Sequence, residues 1–253
     1  MTSSRTIAAP PYRTIVFDCD STLSRIEGIE ELARELPQDR SNEIQELTRA
    51  AMAGEIPLQD VYGLRLEFIR PSAAAMAQVA EIYWDQRLPH GEHLIAALAF
   101  LGKDLRVVSG GLLPCVQPFA ERLGFAADRI HAVPTRSDEQ GAWLGFDEQS
   151  PLARAAGKLE LLGAWHGDGD APLALVGDGS TDLEAAPVCA RFVAFMGVAL
   201  RESVAQAADV VCHEQDMAAL LPLLVSPEEL QILEHQPEHA PLVARARAIL
   251  SKP

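Results

Sequence analysis

Two carboxylates stand two residues apart at the end of the first strongly apolar segment of the chain. The segment reads TIVFDCD over residues 14–20 and carries Asp18 and Asp20. In a regular strand the two side chains would share one face, and a turn just beyond the strand would let them converge on one site. A carboxylate beside an apolar strand costs free energy unless a partner compensates it. The pair is therefore better explained by chemistry than by solubility.

A hydroxyl and two glycines end a second apolar segment. Ser109 is followed by Gly110 and Gly111, and a helix is predicted directly after them. Glycines let a backbone approach a ligand closely, and the helix would present free N–H groups to an anion. The pattern indicates an anion site, although Ser-Gly-Gly is also an ordinary turn.

A lysine and a second acidic motif complete the set. Lys158 lies near the start of a predicted helix, where a solvated surface lysine is the alternative interpretation. Asp178 lies between two glycines at the end of an apolar segment, and Asp182 follows in the helix that opens with Thr181. Thr181 could act only as a helix N-cap. Asp178 is harder to explain by structure alone.

The elements that must position these residues alternate along the chain. Nearly continuous apolar segments predict strands at residues 14–20, 104–110, 173–179 and 191–197, and more weakly at 208–212. Helical spacing predicts helices at residues 93–101, 113–123, 151–165 and 181–186. This alternation is typical of an α/β doubly wound fold with a parallel sheet covered on both faces.

One stretch interrupts the alternation. Apolar residues recur at helical spacing from about residue 30 to 84, which predicts a helical insert after the first strand, above the carboxyl ends of the strands. Residues 132–147 could form a hairpin, and the segment from residue 226 reads as an amphipathic helix with a polar linker. The predicted units are a catalytic core (12–24 and 85–225), a small helical cap (25–84) and a C-terminal helical extension (226–253).

Composition limits the partners. The chain has 253 residues, is 48% hydrophobic and carries a formal net charge of −15, which disfavours nucleic acid and anionic membrane surfaces. A small anionic substrate would need a local cationic pocket. The four cysteines lack metal or redox spacing and lie in apolar stretches, so we expect reduced core residues and a cytoplasmic protein. No apolar segment is long enough to span a bilayer.

Together, the four motifs resemble those of the haloacid dehalogenase superfamily in order and spacing, and Asp-x-Asp is typical of its phosphomonoesterases. The stretches FDCDSTLSRIEGIEELA, LTRAAMAGEIP, LRLEFIRPS and VGDGSTDLEAAP further resemble the phosphoserine phosphatase family, over about residues 12–224. The resemblance implies hydrolysis of phosphoserine through an aspartyl-phosphate, as the last step of serine biosynthesis.

The resemblance also implies roles for the motif residues. Asp18 would be the nucleophile and Asp20 the general acid and base. Mg²⁺ would be held by the carboxylates of Asp18 and Asp178 and the backbone carbonyl of Asp20, while Asp182 would support the metal-bound waters. The phosphoryl oxygens would be bound by Ser109, Gly110, Lys158 and Thr181.

The substrate's other charged groups would be recognised mainly from the insert. On the same resemblance, Glu27 would bind the amino group and Arg65 the carboxylate, and Met52 and Gly111 would line the pocket. Ala53 follows Met52 at a position where the family often has glycine.

Three alternatives remain open at this stage. Another small-molecule phosphatase or a phosphotransferase of the superfamily would share the core residues. A receiver-type phosphoacceptor domain would also phosphorylate an aspartate, but it would not explain Asp20 or the insert. A purely structural binding module would leave the acidic residues unexplained. The sequence is compatible with a monomer or a homodimer.

Overall fold

The computed structural model describes residues 10–36, 42–44, 46–47, 49–50, 55–56, 58–167 and 172–251. These residues contain a six-stranded parallel sheet and a two-stranded antiparallel hairpin. The strands are β1 (Thr14–Phe17), β2 (Asp104–Leu112), β3 (Ile130–Val133), β4 (Thr135–Ser137), β5 (Trp143–Phe146), β6 (Leu173–Gly177), β7 (Arg191–Phe195) and β8 (Val210–Cys212).

The strand order places the first strand at the centre of the sheet. The order is β3-β2-β1-β6-β7-β8, so the chain builds outward on one side of β1 and then on the other. Ile15, Val16 and Phe17 are fully buried, as expected for a strand covered on both faces. The reversal of strand order beside β1 creates the crevice in which ligands bind in this fold class. The predicted α/β doubly wound fold is confirmed.

Helices connect the strands and cover both faces. They are α1 (Gly28–Leu32), α2 (Leu58–Ile69), α3 (Ala73–Asp85), α4 (Gly91–Phe100), α5 (Leu113–Leu123), α6 (Gly157–Gly167), α7 (Ser180–Ala185), α8 (Glu202–Ala207), α9 (Leu221–Leu224), α10 (Pro227–Glu234) and α11 (Ala240–Leu250). None of the helices in the described ranges combines the length and hydrophobicity needed to span a bilayer.

The described part of the insert between β1 and β2 is helical, as predicted. It contains α1, α2 and α3, and α3 packs on α5 through stacked rings of Tyr83 and Phe119 with centroids 5.4 Å apart. The contact fixes the last insert helix against the sheet-covering layer. The division into core and cap with a boundary at residues 25–84 stays a prediction.

The helix predicted over residues 151–165 is wrong in its first six residues. α6 begins at Gly157, because Arg154 is extended (φ −138°, ψ 162°) and Ala156 adopts a left-handed conformation (φ 58°). A Cβ at Gly157 would lie 1.7 Å from the carbonyl oxygen of Pro151, so glycine is needed for this tight turn. The turn places Lys158 in the first turn of α6.

The strands also differ from their predicted bounds: β1, β6 and β7 end at residues 17, 177 and 195, before the predicted ends at 20, 179 and 197, and β8 begins at residue 210 rather than 208. β2 continues two residues past the predicted end at residue 110, through Gly111 to Leu112, with a shift in register between Val108 and Leu112. β3 was not predicted. The hairpin predicted within residues 132–147 is confirmed by β4 and β5.

The C-terminal segment contains two helices where one helix and a linker were predicted. Ser226 is the N-cap of α10, since its side chain accepts from the Glu229 N–H while the Glu229 side chain accepts from the Ser226 N–H. This reciprocal capping stabilises a helix start. Leu233 on α10 and Leu242 and Val243 on α11 are buried, so both helices pack on the rest of the protein.

Candidate active site

A cavity lies at the carboxyl ends of β1, β2 and β6, where the strand order reverses. Eight of the predicted site residues line it: Asp18, Asp20, Glu27, Arg65, Gly110, Lys158, Asp178 and Thr181. The lining also includes residues that the sequence did not single out: Ile29, Tyr62, Leu152 and Arg154. The sheet and the insert helices therefore bring most of the predicted site together.

Lys158 joins two of the buried carboxylates. Its Nζ lies 2.9 Å from Oδ1 of Asp18 and 2.7 Å from Oδ1 of Asp182. Burial raises the pKa of Asp18 well above its usual range, although the charge of Lys158 opposes this shift. Burial alone would lower the pKa of Lys158, but the two carboxylates raise it above its usual value. Both carboxylates therefore favour the charged form of Lys158 at the cavity.

Asp182 lies beneath this cluster. Its side chain is fully buried, and its Oδ2 accepts from the N–H of Gly179 at 3.0 Å. A Cβ at Gly177 would lie 2.2 Å from Cγ of Asp182, so glycine at the end of β6 makes room for the carboxylate. Thr181 lies inside α7 and is not its N-cap, which is Gly179; Thr181 instead lines the cavity.

Asp178 follows β6 and is held by two donors. Thr22 Oγ donates to Oδ1 at 3.0 Å, and Arg201 Nε donates to Oδ2 at 2.9 Å. Burial raises the pKa of Asp178 to about 6, against the opposing charge of Arg201. Neither partner was predicted as a site residue. Thr22 belongs to the FDCDST motif and could have been found there, whereas Arg201 lies in no recognisable motif.

Three of these carboxylates fit a metal ion. Asp18, Asp178 and Asp182 each offer an oxygen, and these oxygens lie within 4.8 Å of one another. Carboxylate oxygens are the donors that hard divalent cations prefer. The donor set therefore fits a divalent metal.

Asp20 lies on the insert side of the cluster. Its Oδ1 accepts from the N–H of Gly28 at 2.8 Å and from the hydroxyl of Tyr83. Burial raises the pKa of Asp20, while both hydrogen bonds oppose the shift. A Cβ at Gly111 would lie 3.2 Å from Oδ2 of Asp20, so the glycine leaves space beside that oxygen. Asp20 is thus held in place by one oxygen while the other faces β2.

The Ser-Gly-Gly motif lies at the end of β2. Ser109 is fully buried, and its Oγ accepts from the N–H of Gly111 at 2.9 Å. The carbonyl of Gly110 accepts from the hydroxyl of Tyr62 at 2.8 Å. Of the three motif residues, Gly110 lines the cavity, and Ser109 and Gly111 flank it in β2.

Glu27 and Arg65 reach the cavity from the insert side. Glu27 Oε1 accepts from the hydroxyl of Ser21 at 2.7 Å and from Arg201 at 3.2 Å. Burial raises the pKa of Glu27 to about 8, and the nearby charge of Asp20 adds to the shift. Arg65 is 1% exposed, and its charge is felt by Asp20. Met52, the remaining predicted pocket residue, lies outside the described residues.

Comparisons with known proteins point to one family. The model of the haloacid dehalogenase-like hydrolases matches residues 15–187. A chloroplastic phosphoserine phosphatase of Arabidopsis thaliana is 34% identical over 202 residues, 77% of this chain and 66% of the relative, so the chain spans slightly less than two thirds of that protein. The phosphoserine phosphatase of Rattus norvegicus is 30% identical over 75% of this chain and 84% of its own length.

A solved structure shares the fold over nearly its whole length. The phosphoserine phosphohydrolase-like protein from Francisella tularensis subsp. tularensis SCHU S4 superposes with a TM-score of 0.73 at 26% identity. The superposition covers 80% of this chain and 95% of the other. The two proteins therefore share the fold over most of this chain.

Proposed function

Since the chain belongs to the phosphoserine phosphatase family of the haloacid dehalogenase-like hydrolases, we propose that it hydrolyses O-phosphoserine to serine and inorganic phosphate. The observation that carries the proposal is the buried cluster of Asp18, Asp178, Asp182 and Lys158 at the carboxyl ends of the central strands. The family consists of hydrolases, so the receiver-type and structural alternatives are set aside.

The reaction divides into two steps on Asp18. A carboxylate oxygen of Asp18 forms a bond to phosphorus as the bond from phosphorus to the serine oxygen breaks, and Asp20 gives its proton to that oxygen. Asp20 then takes a proton from the water that attacks the aspartyl-phosphate, which releases phosphate and restores Asp18. Burial raises the pKa of Asp20, which favours the protonated form that donates in the first step.

The phosphoryl group enters a site already crowded with negative charge. Lys158 would neutralise part of it as a point charge, with the backbone of Gly110, Ser109 and Thr181 binding the remaining oxygens. Mg²⁺ held by Asp18, Asp178 and the carbonyl of Asp20, with Asp182 behind them, would neutralise the rest.

Glu27 and Arg65 would select the amino acid part of the substrate. A buried ammonium and a buried carboxylate each need a group of opposite charge, and Arg65 can bind a carboxylate through two parallel hydrogen bonds. The charge of Arg201 opposes the burial that raises the pKa of Glu27, and the positive charge of a bound ammonium would oppose it in the same way. Met52 and Gly111 would complete the pocket.

A substrate panel tests the proposal. O-phosphoserine, phosphoethanolamine and 3-phosphoglycerate separate the contributions of the carboxylate and the ammonium, and phosphate release is measured with and without Mg²⁺. We expect kcat/KM for phosphoserine to exceed both analogues by at least about 100-fold, because sites built for polar groups reject analogues that lack them. Equal rates on all three esters would leave only a general phosphatase.

Two variants assign the selecting residues. Arg65→Ala should reduce most the preference over phosphoethanolamine, and Glu27→Gln the preference over 3-phosphoglycerate. Both variants should retain activity on an aryl phosphate, since the core is unchanged. If neither changes the ranking, the substrate stands and the two assigned residues are wrong. Adding an alcohol acceptor to the same assay detects phosphotransfer. A cytoplasmic location and a monomeric or homodimeric state stay predictions.

A further inference from the structure

A tyrosine joins the insert to the strand that carries the Ser-Gly-Gly motif. Tyr62 lies on α2, is 2% exposed, and donates its hydroxyl to the carbonyl oxygen of Gly110 at 2.8 Å. The two residues are 48 positions apart. Because α2 belongs to the insert and β2 to the sheet, the hydrogen bond links the insert to the sheet at the wall of the cavity.

The same tyrosine also contacts the arginine proposed to bind the substrate carboxylate. Tyr62 and Arg65 are three residues apart on α2, a spacing that places side chains on one helix face, and both line the cavity. The Arg65 guanidinium carbon lies 5.7 Å from the Tyr62 ring centroid. The Tyr62 ring also packs edge-on against the ring of Phe146 in β5, with the two ring centroids 5.3 Å apart. The tyrosine ring is therefore fixed by contacts besides its hydroxyl.

These contacts connect the two residues that would bind the two ends of one substrate. Gly110 lies where the phosphoryl group would bind, and Arg65 where the carboxylate would bind. We propose that Tyr62 is a positioning residue that sets the distance between Gly110 and Arg65, and so makes the enzyme selective for the length of the phosphorylated amino acid side chain. The selectivity for substrate length rests on the proposed function, whereas the hydrogen-bonded link between Tyr62 and Gly110 does not.

The hydroxyl is well suited to a permanent link. Burial raises the pKa of Tyr62 far above its usual range, so the hydroxyl stays protonated and can donate. Without it, the carbonyl of the half-buried Gly110 would lose this donor, and a partly desolvated carbonyl that loses a hydrogen bond costs free energy. Phenylalanine at this position would keep the ring contacts and remove only the link.

The kinetic test compares Tyr62→Phe with the matched control Tyr12→Phe. Tyr12 is also fully buried but does not line the cavity, so its variant reports the effect of removing any buried tyrosine hydroxyl. The substrates are O-phosphoserine and O-phosphohomoserine, which is longer by one methylene. We expect Tyr62→Phe to lower kcat/KM for phosphoserine about tenfold, and to lower it much less for the longer ester. The ratio of kcat/KM for phosphoserine to kcat/KM for phosphohomoserine should decrease only in Tyr62→Phe.

A parallel loss on both esters, or the same narrowing in Tyr12→Phe, would overturn the proposal. Hydrogen exchange supplies an arm that does not depend on the substrate. Amides in Leu58–Ile69 should exchange at least about fivefold faster in Tyr62→Phe than in Tyr12→Phe. Unchanged exchange would refute the link even if the wild type prefers phosphoserine. Faster exchange in Tyr62→Phe, combined with a wild type that shows no preference for phosphoserine, would refute the proposed function alone.

Discussion

Replacing Asp20 with asparagine separates its chemistry from its structural contacts. In Asp20→Asn the amide oxygen can still accept from the Gly28 N–H and the Tyr83 hydroxyl, the two donors that hold Oδ1. The side chain keeps its size, and the acidic cluster loses one negative charge. We therefore expect the variant to fold with an unfolding free energy close to that of the wild type, while the proton that Asp20 would transfer is gone.

The expected loss follows from the number of steps that need this proton. General acid–base catalysis contributes about 10²- to 10⁴-fold to a rate, which corresponds to about 3–5 kcal/mol in the activation free energy. For phosphoserine, both formation and hydrolysis of the aspartyl-phosphate should slow by this factor. For 4-nitrophenyl phosphate, the leaving phenolate needs no proton, so only the second step should slow. Phosphoenzyme should then accumulate on the aryl ester.

Rapid-quench kinetics with 4-nitrophenyl phosphate measure this difference. Asp20→Asn should give a burst of nitrophenol close to one equivalent per enzyme, followed by a slow steady state. Asp128→Asn is the matched control, because the Asp128 side chain is 79% exposed and lies outside the cavity lining; it should behave like the wild type. Near-wild-type turnover of phosphoserine by Asp20→Asn, or an equal slowing of both steps on the aryl ester, would refute the acid/base assignment.

Three further predictions concern Arg201, the metal ion and the ion pair of Asp216. Arg201→Met removes the donors to Glu27 and Asp178 and should reduce kcat/KM for phosphoserine about 10- to 100-fold, with partial recovery in Arg201→Lys; unchanged steady-state kinetics would contradict this. Exhaustive chelation should abolish phosphate release and added Mg²⁺ should restore it, so full activity of chelated protein would exclude the metal. Burial alone would raise the pKa of Asp216, but the hydrogen bond from Arg245 helps to hold that pKa below its ordinary value of 3.8. Ionised Asp216 therefore adds stability above about pH 4, and this stability is lost as the pH falls through the folded-state pKa. Denaturant titrations should show Asp216→Asn less stable than wild type by about 1–2 kcal/mol at pH 7, with the difference shrinking below about pH 4; a constant difference would refute this.

The central acidic residues could be predicted because each follows an apolar strand. Asp18 and Asp178 directly follow β1 and β6, which are neighbours in the sheet, and the carboxyl ends of parallel strands meet at one edge. The start of the helix that carries Lys158 was mispredicted, since the alanines before it favour a helix and conceal the turn at Gly157. That turn depends on a close approach to Pro151, which no helical pattern reveals.

The residues that the sequence missed make their contacts far from any motif. Tyr62 lies among apolar residues at helical spacing, so in the sequence it resembles an ordinary core residue. Only the structure shows that its hydroxyl donates to the carbonyl oxygen of Gly110. Arg201 meets Glu27 across 174 positions of sequence. β3 has only four residues, one of them a histidine, so its apolar pattern is too short to be recognised in the sequence. The strand is defined by its pairing with β2. Such contacts arise from tertiary structure rather than local pattern.

Trapping the phosphorylated enzyme tests the central claim most directly. Wild-type protein is mixed with Mg²⁺ and O-phosphoserine carrying a radioactive phosphoryl group, quenched in acid during turnover, digested and mapped. The label should appear on the peptide that contains Asp18, and Asp18→Asn should show neither label nor phosphate release. Turnover of phosphoserine with no label on that peptide, or turnover by Asp18→Asn, would contradict the account.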